Sequence, residues 1–386
     1  MKILITTQYL DGFAGTELFT LSLSKKLVQK GHVVYVYSPV LGNTANIIRR
    51  NGITVTDNIR DFEKEKFDLI HSQHNVTAIL ARSIFPDTPM VFMVHGLLPE
   101  LEQPPSLDIG IEKYIAISEE IRNHLVHDCA IKTEKIEVIR NSVDTDIFSC
   151  TKPIRKQPHE LVVISNHYTA AVQGVIEGAS KELGINVTHL GLPENSLPIE
   201  DMPERINRAD IVVTLGRGVL EALACERNVI VFDMHGGDGI VDDKNFYEIR
   251  KNNFSGRRYR HIYTLDSFKK ELLKYDPHVV KRLRQLVVDE HTFEMTIEKL
   301  LRIYADAKGC GVKKKYEKFR LYNELEFLER FNPSNDLVRK LSAISRESQE
   351  KEVEIAELGY RLKLIKGSRF WKIRNRLAKI LGKEII

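Results

Sequence analysis

ADIVVTLGRGVLEALACERNVIVFD, residues 209–233, decides the fold. Its apolar run Ile211 to Leu215 reads as a buried strand, Gly216-Arg217-Gly218 as a tight turn, and the next residues as a short helix carrying Glu221 on its first turn. A second apolar strand, Val229 to Phe232, ends on Asp233. Continuous Val/Ile/Leu strands belong to parallel sheets covered on both faces. A glycine turn between such a strand and a helix offers bare backbone N–H groups at the positive helix end, where an anion is favoured. Arg217 adds a fixed fork of donors suited to phosphate. The stretch therefore predicts phosphate binding in an open α/β sheet.

Outward from this stretch the same alternation recurs. Towards the N-terminus it is carried by the strands KILITTQYL (2–10), VVYVYS (33–38), ITVT (53–56), DLIHS (68–72), MVFMVH (90–95), YIAIS (114–118) and KIEVIR (135–140). Helices fit between them: Thr16 to Lys30, capped by Thr16 and closed by Gly31, and Glu119 to His127. A polar, Pro-containing link, NSVDTDIFSCTKPIRKQPH, interrupts the pattern before LVVIS (161–165) and NVTHLG (186–191) restart it. Two doubly wound parallel-sheet domains follow, 1–150 and 151–308. Residues 309–386 change character. A four-three apolar rhythm from Leu337 to Ile365, with polar Ser348 and Lys351 in it, reads as a helix able to pair with a second copy. Residues 359–386 hold nine Lys/Arg and one Glu, with Phe370, Ile373, Leu377 and Ile380 on one helical face. That pattern suits either a partner helix or a helix lying on anionic lipid, with Trp371 at headgroup depth.

Composition narrows the class. A chain of 386 residues with 42% hydrophobic and 28% charged residues supports two globular domains, and a net charge of only +4 argues against a nucleic-acid partner. Four scattered cysteines with no C-x-x-C pair read as reduced thiols of a cytoplasmic protein. The N-terminus enters a strand at once and reaches Asp11 too early for a secretory segment, and no run of about 18 apolar residues suggests a membrane span. Asp144-Thr145-Asp146 spells D-x-D, but Asx turns in the link explain it better than a metal, and no metal site is expected.

Several motifs in order resemble the retaining glycosyltransferases of family 4. FAGTE (13–17), then a helix and KGHVVYV, resembles the family's glycine loop. VFMVHG (91–96) resembles its strand ending in His-Gly at the cleft. IAISEEIRNHL and KIEVIRNSVDTDIF (135–148) resemble its helix and link, and 209–233 resembles its "A-D-v…G…l-E-A" segment. The resemblance covers about residues 1–308. It implies the GT-B fold, with two Rossmann-like domains, and transfer of a hexose from a nucleotide-diphosphate donor to a saccharide acceptor, with retention and without a metal or cofactor. His95 would be catalytic, with Gly15 and Thr16 on the acceptor side. Gly216, Arg217, Gly218 and Glu221 would hold the donor, Glu221 at the ribose. HGGDG (235–239) resembles the family's Gly-Gly loop after the strand ending on Asp233, and its Gly236 and Gly237, with Asn166 and His167, would complete the donor site. Arg257 in FSGRR (254–258) is a further candidate anion contact.

Two departures stand out. The family's first glutamate, eight positions before Glu221, falls on Val213. Its diphosphate-binding Arg and Lys fall near Ser165-Asn166-His167 and on Gln173. The expected acceptor is lipid-linked or a growing surface polysaccharide, met by a peripheral enzyme on the inner face of the membrane through 359–386, with a homodimer through 337–365. The alternatives are a non-catalytic GT-B scaffold and a dinucleotide-dependent oxidoreductase. The latter is disfavoured because Glu221 takes the place of the third fingerprint glycine and would repel pyrophosphate.

Overall fold

The computed structural model describes residues 1–165, 169–190 and 201–310. The first half contains strands β1 (Lys2–Thr6) and β2 (Tyr9–Leu10), helix α1 (Gly15–Gln29), β3 (Val33–Tyr37), β4 (Val40–Leu41), α2 (Asn43–Arg50), β5 (Thr54–Thr56) and β6 (Leu69–Ser72). It continues with α3 (Asn75–Ile84), β7 (Met90–Val94), β8 (Lys113–Ala116), α4 (Glu119–His127) and β9 (Ile136–Val138). The second half begins with β10 (Glu160–Ile164), α5 (Ala170–Glu182), β11 (Asn186–Leu190), α6 (Met202–Arg208), β12 (Ile211–Thr214) and α7 (Arg217–Ala224). It closes with β13 (Asn228–Asp233), β14 (Gly236–Ile240), α8 (Phe246–Arg250), α9 (Leu265–Leu272), α10 (Val279–Glu290) and α11 (Phe293–Cys310).

The strands form two large sheets. The first has the order β5-β3-β1-β6-β7-β8-β9 and is parallel throughout. The second has the order β11-β10-β12-β13-β14, parallel except for the β13–β14 pair. Both are Rossmann-like. The continuous apolar runs are buried on both faces, as in Met90–Val94 and Ile211–Thr214. Alternation then splits one run between two cores. Val162, Val212, Val229 and Val231 pack with Leu220 of α7 and Leu283 of α10. Leu161, Val163, Ile211, Val213 and Ile230 pack with Ile176 of α5 and Phe268 of α9.

Three local readings change. Ala14, not Thr16, is the N-cap of α1, and the Glu17 carboxylate does the capping by accepting from the backbone N–H groups of Gly12 (2.9 Å) and Ala14 (2.5 Å). Glu221 lies on the second turn of α7, because that helix begins at Arg217. The glycine-rich HGGDG segment is not an open loop: Gly236 and Gly237 begin β14, antiparallel to β13.

Helix α11 crosses to the first sheet. The Tyr304 hydroxyl lies 2.8 Å from His71 Nδ1 at the end of β6, and Lys308 pairs with Asp68 at 2.7 Å. Thr296 Oγ1 donates to Ser142 Oγ at 2.8 Å, Lys30 at the C-cap of α1 pairs with Glu294, and Phe293 packs against Phe19. Residues 311–386, including the proposed dimer and membrane segments 337–365 and 359–386, lie outside the described residues.

Candidate active site

In an open parallel sheet the carboxyl ends of the strands and the helix starts that follow them make the natural binding edge. On the first sheet this edge carries Gly15. A Cβ there would meet nothing within 4 Å, so the backbone of the 11–15 loop is open to an approaching ligand. Glu17 holds that loop against α1, and burial keeps its carboxyl above the usual carboxylate range. Thr16 and Phe19, on the same helix, also face the cleft.

His95 follows the last residue of β7. Its ring sits edge-on to Phe19 at 5.1 Å, and its Nε2 is out of contact with solvent and has no partner among the described residues. Burial, with His74 and His71 adding, lowers its pKa to about 3. The imidazole is therefore neutral, with one nitrogen donating and the other accepting. Beside it stands Glu102, which no sequence pattern singles out. Its carboxylate packs so closely on Gly96 that a Cβ there would collide with Oε2. Burial raises its pKa to about 7. The 96–103 loop is fixed by Gln103, whose amide donates to the carbonyls of Gly96 (3.2 Å), Leu97 (3.1 Å) and Pro99 (3.2 Å) while its Oε1 lies 2.7 Å from His124 Nε2.

On the second sheet the Gly216 turn joins β12 to α7. Gly216 has φ +57°, a left-handed conformation suited to glycine, and its N–H donates to the Phe254 carbonyl at 2.9 Å. Gly218 N–H and Val219 N–H donate to Leu215 and Gly216, both at 3.2 Å. The expectation of a row of bare amides is thus corrected, because backbone carbonyls already take three of them. The Arg217 side chain faces the cleft instead. Its Nε lies 2.8 Å from Glu221 Oε1, but the contact is misaligned: neither Nε nor Nη1, both out of contact with solvent, makes a directed hydrogen bond among the described residues. Glu221 is only 9% exposed, and burial raises its pKa against the opposing pull of Arg217. A Cβ on Gly218 would run into Thr214, so that glycine is needed for the close packing of helix on strand.

Gly236 and Gly237 are not at the cleft. A Cβ on Gly237 would strike the Val231 carbonyl, and Gly237 exchanges backbone hydrogen bonds with His261 at 2.9 and 2.8 Å. Close backbone approach accounts for both glycines. Asn166 and His167 lie outside the described residues. The Gln173 amide donates to Glu177 at 2.9 Å, and Val213 is wholly buried, so neither replaces the family residue expected there. Arg257, a candidate anion contact by sequence, instead makes a two-pronged ion pair with Glu120 of α4, at 3.1 and 2.7 Å. Asp144 accepts from the Asp146 N–H at 3.1 Å, the Asx turn expected for D-x-D. Among the described residues no group of His, Cys, Asp and Glu could hold a metal ion.

The two edges face one cleft of about 280 Å³. Gly15, Thr16, His95 and Glu102 line one wall, and Gly216, Arg217 and Asn253 the other. The lobes are fastened beside it: Asn141 Nδ2 donates to Asn253 Oδ1 at 2.9 Å and Glu120 N–H to the Lys251 carbonyl at 3.1 Å, next to the Arg257–Glu120 pair. Asn253 and Phe254 both have positive φ, +55° and +51°, strain held at a site where two lobes meet.

Two Rossmann-like sheets with a cleft between their carboxyl edges define a known architecture. The fold is GT-B. Residues 13–147 match the family model described as Glycosyltransferase Family 4, so the resemblance read from FAGTE, VFMVHG and the 135–148 link is borne out over the first GT-B lobe. A glycosyltransferase from Rickettsia africae is similar in structure at 15% identity, covering 79% of this chain and 98% of that chain with a TM-score of 0.55. Anabaena Alr3699/HepE, solved with UDP and glucose, is similar at 13% identity, covering 79% of this chain and all of that one (100%), also with a TM-score of 0.55. Both are GT-B structures. No curated protein matches the sequence. No described helix of this GT-B chain is long and apolar enough to cross a membrane.

Proposed function

We propose that this chain is a retaining hexosyltransferase that moves a sugar from a nucleotide-diphosphate donor to a saccharide acceptor. One observation carries the reading: a single cleft between two Rossmann-like lobes joins a neutral His95 and an open Gly15 loop on one wall to Arg217 on the other. Arg217 and Glu221 serve the donor, the guanidinium neutralising the leaving diphosphate and the carboxylate accepting from ribose hydroxyls. His95, Gly15 and Thr16 serve the acceptor and the reacting centre. Preorganised donors of this kind neutralise a leaving phosphate without a metal, so activity should persist in EDTA. Loss on chelation that Mg²⁺ or Mn²⁺ restores would refute that part. The acceptor is lipid-linked or a surface polysaccharide. This part rests on the basic, aromatic segment 359–386, read as a helix that attaches the chain peripherally to anionic lipid.

A thermal-shift screen with UDP, GDP, CMP and TDP sugars tests the reading. A true donor at 100 times its dissociation constant should stabilise the folded chain by about 2.7 kcal/mol. Glu221→Ala should then cut kcat/KM at least about tenfold while the protein stays folded. No shift with any of the four sugar classes would overturn the proposal.

Gly15→Val gives an independent check. Its Cβ would enter open space, so unfolding stability should stay within the usual range for a surface substitution, about 0.5 kcal/mol. Transfer should fall because the cleft is filled, and undiminished kcat/KM would remove the Gly15 loop from the site.

A further inference from the structure

Arg217 stands between Glu221 and the cleft. Gly216 and Arg217 line the cleft, whereas Glu221, four residues on along α7, is not among the residues that do. The pair is also placed against ordinary helix electrostatics. A cation on the first residue of a helix opposes the helix dipole, and Arg before Glu at this spacing is the weaker orientation of such a pair. Helix stability therefore does not explain it. The guanidinium is under-satisfied as well: its Nη1 has neither solvent nor a partner among the described residues, and its Nε is misaligned towards Glu221. A buried polar group left in that state calls for a ligand. The Asn253 side chain closes the other side of the turn, with its Nδ2 3.8 Å from where a Gly216 Cβ would stand and its Oδ1 held by Asn141.

We infer that the Arg217–Glu221 ion pair is a latch that donor binding exchanges: the guanidinium leaves Glu221 for the diphosphate, and the uncovered carboxylate takes the ribose hydroxyls. Asn253 Nδ2 supplies a neutral donor to the same phosphates, opposite Arg217. This inference rests on the donor-site reading above and adds an order to it. Phosphate and ribose recognition become coupled, because neither partner is free until the other is. Resting Glu221 competes with phosphate for Arg217, which keeps affinity low for a phosphate that brings no ribose.

The coupling gives opposite responses to one substitution. By calorimetric titration of the full chain, Glu221→Gln should bind inorganic pyrophosphate about threefold or more tighter than wild type, since the competitor for Arg217 is gone. The same variant should bind the preferred nucleoside diphosphate (from UDP, GDP and TDP) about tenfold or more weaker, since a charged contact to the ribose is lost. Arg217→Met should weaken both. If the glutamine variant does not fold, Glu221→Asp, one methylene shorter, draws the carboxylate back from Arg217 and should also tighten pyrophosphate binding. Equal weakening of both ligands in Glu221→Gln, or no change in either, would overturn the latch while leaving the glycosyltransferase reading intact. A wild-type chain that binds none of the three nucleoside diphosphates would overturn both.

Discussion

Replacing His95 by alanine is expected to lower transfer by about 100-fold or more while leaving nucleoside diphosphate affinity within about twofold. The size follows from chemistry: a positioned imidazole that exchanges a proton or a directed hydrogen bond with the reacting hydroxyl contributes about 10²–10⁴ in rate. The selectivity follows from placement. His95 ends β7 of the first sheet, whereas Arg217 and Glu221 belong to α7 of the second. The imidazole is neutral before substrate arrives, because burial holds its pKa near 3, so the protonated form does not compete at neutral pH. Steady-state kinetics and a calorimetric Kd on the same preparation check both halves. A parallel loss of binding and turnover would move His95 into the donor pocket or make it a support for Phe19.

The largest stability effect is expected at Arg82, which is wholly buried in α3. Its guanidinium donates to the carbonyls of Ile109 (2.9 Å), Phe85 (3.4 Å), Pro86 (3.0 Å), Thr88 (2.7 Å) and Gly110 (3.2 Å). These carbonyls belong to the two turns that lead into β7 and β8, the strands behind His95. Arg82→Met keeps most of the apolar stem but leaves five acceptors short of a donor. At about 1–3 kcal/mol for a buried group left unsatisfied, a loss of at least about 3 kcal/mol is expected even if the turns relax and admit water. Urea unfolding should show a lower midpoint at an unchanged slope. A midpoint within experimental error of wild type would mean that other groups satisfy those turns.

How much of this was legible in the sequence depends on the range of the cause. Apolar runs such as 90–94 and 211–213 announce strands because burial on both faces demands apolar residues at every position. The helix expected over Glu119 to His127 is α4, and the Ser118 hydroxyl caps it by accepting the Ile121 N–H at 3.2 Å. His95 and Arg217 were legible because they stand at strand and helix ends, where the sheet itself fixes their location. Glu102 was not, since its environment comes from a loop folded back on Gly96 and clipped by Gln103. Arg257 looked like an anion contact because its partner Glu120 is 137 residues away. The Gly236-Gly237 pair looked like a loop because glycine composition does not distinguish a flexible turn from a strand pressed against its neighbours.

Helix α11 also sets a timetable for the making of this protein. His71, in the middle of the first sheet, finds its partner Tyr304 233 residues later in the chain. Phe19 waits longer still for Phe293. At a synthesis rate of about 5–20 residues per second, the first lobe is exposed to the cell for about 10–30 s after its own strands have emerged, with an apolar strip uncovered. The domain made first is thus the one finished last, and the protein is most open to aggregation and proteolysis in that interval.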